Sequence, residues 1–254
     1  MIIDTHAHYD DERYDEDRDA LLQSMKERHM IAVNAATDRK SMEKIMQMID
    51  TYDNLYGMIG IYPEYVENYS DVDLSEMKEL SSHPKIVAIG EIGLDYHWEG
   101  NPPKEAQILW FKKQIALAKE TGLPINVHSR DAAADTLDVI KSENAAECGG
   151  IIHCFSYSPE MAAEYVKLGF YIGIGGVVTF SNAKKLVEVV EKTPIENLVL
   201  ETDCPYLAPT PHRGERNSSL YLDAVIEKIA TIKGLSSEEV ERITEENARK
   251  VYGI

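Results

Sequence analysis

The chain has 254 residues, 44% of them hydrophobic, and a formal net charge of −18. That length is ordinary for one α/β barrel with a sizeable core, and so acidic a balance excludes a generic nucleic-acid coat protein, which would be basic. No apolar run reaches the roughly 18 residues that a membrane span needs, and the N-terminal MIIDTHAHYD has neither a basic leader nor an apolar signal core; the chain is therefore expected in the cytosol, off the membrane and without a stable protein partner.

The first β-branched run, Ile2–Thr5, predicts a strand that ends at an H-x-H pair, His6 and His8. The acidic stretch from Asp10 to Asp19 reads as a solvated loop leading into a helix over Arg18–Arg28. Strand Ile31–Ala35, helix Lys40–Thr51, strand Leu55–Ile59 and a short helix Leu74–Ser81 follow. Strand Ile86–Gly90 comes next, with Glu91 directly after it. A long helix covers Lys104–Thr121, where Ile108, Phe111, Ile115 and Leu117–Ala118 recur at helical spacing. Gly122 stops it and feeds strand Pro124–His128.

Helix Asp131–Ser142, strand Gly150–His153, helix Pro159–Leu168, strand Phe170–Ile174 after a stop at Gly169, helix Asn182–Lys192 and strand Leu198–Glu201 complete the alternation. Two helices close the chain, Asn217–Lys233 and Ser237–Val251, the second opened by Ser236 and Glu239 at capping-box spacing. Strict alternation implies parallel strands, and eight repeats imply a (β/α)8 TIM barrel in a single domain over residues 1–254. An open doubly wound sheet is disfavoured, because no strand is followed by G-x-G-x-x-G. Cys148, Cys154 and Cys204 are odd in number and lack C-x-x-C spacing, so they read as small buried side chains and not as a disulfide framework or a zinc knuckle.

Four of the eight histidines fall at the carboxyl ends of predicted strands. His6 and His8 follow the first strand, His128 closes the fifth and His153 the sixth. Glu91 follows the fourth and Asp203 the eighth. In a barrel all these ends open on one face, where barrel active sites sit. A single histidine at a strand end is more often a hydrogen-bonded core or loop residue than a ligand. Six ligand-type residues on one face point to metal. Imidazole with carboxylate suits zinc, manganese or iron and, with more carboxylate and water, magnesium. Residues two apart in an extended segment share a side, so His6 and His8 can grip one ion together. A carboxylate has two oxygens and can bridge two ions, which assigns the bridge to Glu91. Asp203 is the candidate proton acceptor as well as a ligand. Lys104, Arg130, Arg213 and Arg216 lie in loops on the same face and are candidates to hold an anionic substrate. His97 and His212 also lie in such loops, whereas His29 and His83 read as surface residues.

Several segments together resemble the TatD family of metal-dependent deoxyribonucleases, a branch of the amidohydrolase-like barrels. They are DTHAHYD at Asp4, AIGEIGLDYHW at Ala88, PINVHSRDA at Pro124, IIHCFS at Ile151, LETDCPYLAP at Leu200, PHRGERN at Pro211 and the final TEENARKVYGI. The resemblance spans essentially the whole chain, and it places the family's ligands on His6, His8, Glu91, His128, His153 and Asp203. It implies two divalent ions, magnesium, manganese or zinc. His6, His8, Glu91 and Asp203 would hold one, and Glu91, His128 and His153 the other. It further implies a DNA substrate cleaved from the 3′ end.

Two departures stand out. The family's G-x-H-P-H reads Gly60-Ile61-Tyr62-Pro63-Glu64, which puts Tyr62 where a histidine would meet the scissile phosphate. Its R-N-E-P reads Arg216-Asn217-Ser218-Ser219. Two other functions compete: an amide or lactone hydrolase of the same superclass, and a binding protein on a decayed barrel. Many of the former bridge their metals with a carboxylated lysine on the fourth strand, where this chain has Glu91. The latter has no reason to keep six ligands.

Overall fold

The computed structural model describes all 254 residues. Its eight strands are β1 (Ile2–Ala7), β2 (Met30–Ala35), β3 (Leu55–Ile59), β4 (Ile86–Asp95), β5 (Ile125–Arg130), β6 (Gly150–Ile152), β7 (Phe170–Ile174) and β8 (Leu198–Leu200). They pair in chain order, all parallel. The two edges meet through a parallel bridge between Ala7 and Cys204, and the His8 N–H donates to the Cys204 carbonyl at 2.9 Å. The result is a nearly closed (β/α)8 barrel. No helix is long and apolar enough to cross a membrane.

Nine helices accompany the strands: α1 (Arg18–Glu27), α2 (Arg39–Thr51), α3 (Asp71–Leu80), α4 (Lys104–Thr121), α5 (Ala133–Ser142), α6 (Pro159–Lys167), α7 (Lys184–Lys192), α8 (Leu222–Lys233) and α9 (Ser237–Tyr252). Their apolar stripes explain them. In α2, Met42, Ile45, Met48 and Ile49 are buried at spacings of three and four, and Asp38 with Ser41 forms a capping box. The capping box expected at α9 is present between Ser236 and Glu239. Gly122 and Gly169 both take positive φ where their helices stop.

Two hydrophobic clusters result. The larger lies between the sheet and the helices. The smaller draws on every strand except β5, with Ile3, Val33, Met58, Val87, Ile151, Tyr171 and Val199 among its members, and on Ala248 and Tyr252 of α9. It fills the barrel interior, and α9 closes the end opposite the candidate site. The Tyr252 hydroxyl donates to the Thr5 carbonyl at 2.8 Å.

The strands outrun the apolar runs in three places. Residues Gly93 to Asp95 pair with His128 to Arg130, which extends both β4 and β5. Glu91 therefore stands inside β4 and not after it, and His128 lies within β5 instead of closing it. Hydropathy sees polar residues there, whereas the β4–β5 ladder satisfies their backbones. In β1 the register with β2 slips between Asp4 and Ala7, a bulge that redirects side chains at the site. The expected helix from Asn217 begins instead at Leu222, after a 3-10 turn over Ser219–Tyr221. Asn217 is spent on the loop: its Nδ2 donates to the carbonyls of Thr202 and Tyr206.

Candidate metal centre

The six ligand candidates meet at the carboxyl end of the barrel. Glu91 is their hub. Its Oε1 lies 2.8 Å from His128 Nδ1 and 3.7 Å from His153 Nε2, and its Oε2 lies 3.5 Å from His6 Nε2 and 3.8 Å from His8 Nε2. Asp203 Oδ1 closes the other side, 3.4 Å from His8 Nε2, 3.8 Å from His153 Nε2 and 3.9 Å from His6 Nε2. One carboxylate oxygen of Glu91 thus serves each half of the cluster.

The ring protons explain why this is a cation site. His6 Nδ1 faces Asn126 Oδ1 at 2.9 Å, and His8 Nδ1 faces the Ala35 carbonyl at 3.0 Å. These acceptors assign the proton to Nδ1 in each ring. Both Nε2 lone pairs then point inward, only 3.1 Å apart. Two lone pairs at that distance need a proton or a metal ion between them. The donor set fits a divalent ion: imidazole nitrogens, neutral once metal displaces their protons, and ionised carboxylates, with the other nitrogen of His6 and of His8 anchored outside.

Comparison with known proteins agrees. A family model described as "TatD related DNase" matches residues 3–253. This chain belongs to the TatD family. It is 46% identical over 255 residues to an uncharacterized metal-dependent hydrolase of Bacillus subtilis, YabD, with all of both chains covered. It is 34% identical to the Escherichia coli uncharacterized metal-dependent hydrolase YcfH, covering 100% of this chain and 96% of that one. The crystal structure of the TatD homolog YjjV of E. coli superposes with a TM-score of 0.93 at 29% identity, covering 100% of this chain and 98% of the other. The chain is a metal-dependent hydrolase with histidine, aspartate and glutamate groupings able to hold metal.

The TatD-family centre also has an outer layer that sequence reasoning missed. Asp95, fully buried in β4, accepts through Oδ2 from His128 Nε2 at 3.1 Å and from the Tyr62 hydroxyl at 3.0 Å. Its Oδ1 accepts from the His97 backbone N–H at 2.9 Å. The Asp95 carboxylate therefore holds a proton on His128 Nε2 and turns Nδ1 toward Glu91 Oε1; burial opposes charge on the ring, but the two carboxylates outweigh it and raise its pKa, and a metal ion would take the place of the Nδ1 proton. Glu201 Oε1 accepts from the Cys154 N–H at 2.6 Å. Its Oε2 lies 3.3 Å from His153 Nδ1, not aligned as a hydrogen bond, and neither atom has another partner. A small rotation of the His153 ring would satisfy both. Asp4 accepts from the His6 and Thr202 backbones and from the Thr202 and Ser219 hydroxyls, tying β1 to the loop that carries Asp203. A signal for three of the outer residues was available. Asn126 and Glu201 each stand two residues before a ligand, as Asp4 does before His6.

Charge in the cluster is set by burial and neighbours. Burial opposes ionisation of Glu91 and of Asp203, but the surrounding histidines outweigh it and hold both carboxyls below their ordinary values. Burial likewise opposes charge on His8 and His153. The carboxylates prevail there, Asp203 foremost at His8 and Glu201 at His153, and raise the two to about 9 and about 10. His6 is lowered, by burial first and then by the positive charge of His153, on which its ring stacks with centroids 3.5 Å apart.

The other candidates are placed as follows. Tyr62 touches Asp95 and His128, an orienting position beside a ligand-type histidine. Lys104 Nζ lies 4.1 Å over the Tyr96 ring, Arg130 5.2 Å over Trp98 and Arg213 3.9 Å over Phe180. None of the three joins the ligand cluster. Arg216 is committed to Asp17, with contacts of 2.6 and 2.8 Å, and to the Arg13 carbonyl. His97 pairs with Asp131 and His212 with Glu215. Of the three free cysteines only Cys204 is fully buried. Cys148 and Cys154 are half-buried, and Cys154 is part of a metal-capable grouping with His153 and Asp203.

Proposed function

We propose that this protein is a deoxyribonuclease that hydrolyses DNA phosphodiesters from the 3′ end with two divalent ions. His6, His8, Glu91 and Asp203 would hold one, and Glu91, His128 and His153 the other. The observation that carries the proposal is the pair of inward Nε2 atoms of His6 and His8 converging with the carboxylates of Glu91 and Asp203. Bound ions supply positive charge against the phosphate and bring the pKa of water toward neutrality.

The chain's own groups do the rest. Asp203, held ionised by His8, His153 and His6, accepts the proton of the attacking water. The water oxygen bonds to phosphorus, and the bond to the leaving sugar oxygen breaks as that oxygen takes up a proton from solvent. Asp95 and Tyr62 keep His128 turned with Nδ1 inward. Lys104 at the start of α4, Arg130 at the end of β5 and Arg213 in the loop after β8, each lying over an aromatic ring, support the DNA backbone. Glu91 on β4 favours phosphodiester chemistry over the lactone and amide hydrolysis of barrels with a carboxylated lysine there.

The test is to incubate metal-stripped and metal-reconstituted protein with end-labelled single-stranded DNA, single-stranded RNA and a panel of lactones. Metal-dependent loss of a 3′ label from DNA is expected. Lactone opening with intact DNA would overturn the proposal in favour of a small-molecule hydrolase.

A further inference from the structure

Beside the metal centre, between the loop after β7 and the loop after β8, lies a cavity of about 280 Å³. Asp203 stands at its inner end, so whatever fills the cavity adjoins the ligand cluster. Phe155, Val177, Leu186 and Leu207 give it apolar walls, and Ser156 and Thr202 line it beside them. Asn182 and Lys185, both exposed, edge it.

The cavity is built and not incidental. A Cβ on Gly176 would come within 2.2 Å of the Leu207 carbonyl, so only glycine lets the two loops approach this closely. The Thr210 N–H donates to Thr179 Oγ1 at 2.8 Å and pins the loops together. Asn217 ties the loop after β8 from behind.

Size and charge define the occupant. The volume sits near the lower end of small-ligand pockets, roughly 300–1,000 Å³, which is room for one ring system and not for a length of chain. Largely apolar walls with Glu201 and Asp203 at one end disfavour an anion. A flat uncharged ring with a polar edge suits them, its edge within reach of the Asn182 amide.

We propose that this cavity is a nucleobase subsite, taking the base of the terminal nucleotide whose phosphate lies at the metal centre. The inference rests on the phosphodiesterase function proposed above. A subsite for one base matches removal of one nucleotide at a time.

The experiment measures binding of thymidine 5′-monophosphate and of 2-deoxyribose 5-phosphate to metal-reconstituted protein by calorimetry. The two share a phosphate and differ in the base. Wild-type protein is expected to bind the thymidine compound at least tenfold more tightly. Val177→Phe, which fills the cavity, should remove most of that preference while metal content stays at the wild-type level. Equal affinities in the wild type overturn the proposal without recourse to any variant, as does a preference that Val177→Phe leaves intact with its metal bound. Cleavage of methyl p-nitrophenyl phosphate, followed in parallel, separates the two ideas. Cleavage without base preference refutes the subsite and spares the chemistry. Base preference without any phosphodiester cleavage supports the subsite and refutes the chemistry.

Discussion

Asp95→Asn isolates the outer layer of the metal centre. The substitution changes one atom of a fully buried side chain. Asp95 now accepts three hydrogen bonds, from His128 Nε2, the Tyr62 hydroxyl and the His97 N–H. An asparagine has one acceptor oxygen and one donor nitrogen. With its oxygen kept on the His97 N–H, its NH₂ faces His128. The imidazole then must accept at Nε2, its proton moves to Nδ1, and Nδ1 is lost as a ligand. With the amide reversed, the NH₂ faces the partly buried His97 N–H, which loses its acceptor, a cost of at most about 1–3 kcal/mol. Loss of such an outer partner lowers metal affinity by roughly 10–100-fold, or about 1.4–2.8 kcal/mol. The assay is competitive titration of manganese or zinc into metal-free protein, with a thermal melt alongside. One ion should weaken by that factor while the other binds as in the wild type. Wild-type affinity for every ion, with an unchanged melt, would refute the claim that Asp95 fixes the His128 tautomer.

Glu91→Gln should cut turnover to below a tenth of wild type, a barrier rise above about 1.4 kcal/mol, because a neutral amide is a poor bridge between cations; added bicarbonate should leave wild-type activity unchanged, and a tenth or more of wild-type turnover in the variant would assign the bridge elsewhere. Elemental analysis after reconstitution should find two ions per chain, and less than half an ion would remove the metal mechanism. In metal-free protein His8 and His153 are raised to about 9 and about 10 from 6.5. Their contribution to stability is thus full below about pH 6.5 and lost as pH rises through 9 to 10, so metal-free protein should melt lower at pH 9.5 than at pH 7. Metal affinity should rise over the same window as the competing protons leave; a flat affinity between pH 7 and 9 would contradict it. DNA binding should show a shallow salt slope, because a chain of net charge −18 with few fixed cations makes few phosphate contacts. A slope typical of six or more neutralised phosphates would mean that the loop cations act together.

The sequence by itself determined the barrel. Eight β-branched runs, each bounded by a helical stripe or a glycine stop, leave parallel closure as the arrangement that buries them all, and β3 and β7 have the boundaries their residues predict. It also exposed the six candidate ligands, because histidine and carboxylate at strand ends are conspicuous among apolar neighbours. Tertiary structure decided what surrounds them. Glu91 lies within β4 because pairing with β5, and not hydropathy, sets where that strand ends. Asp95 meets His128, and Asn126 meets His6, across 33 and 120 residues of chain. No local pattern records which nitrogen of a ring faces inward; that depends on the acceptor opposite it. Tyr62 shows the same limit. Its place after β3 marked it for substrate, yet the fold gives its hydroxyl to Asp95, since a side chain's partner is fixed by the strands packed beside it and not by its neighbours in sequence.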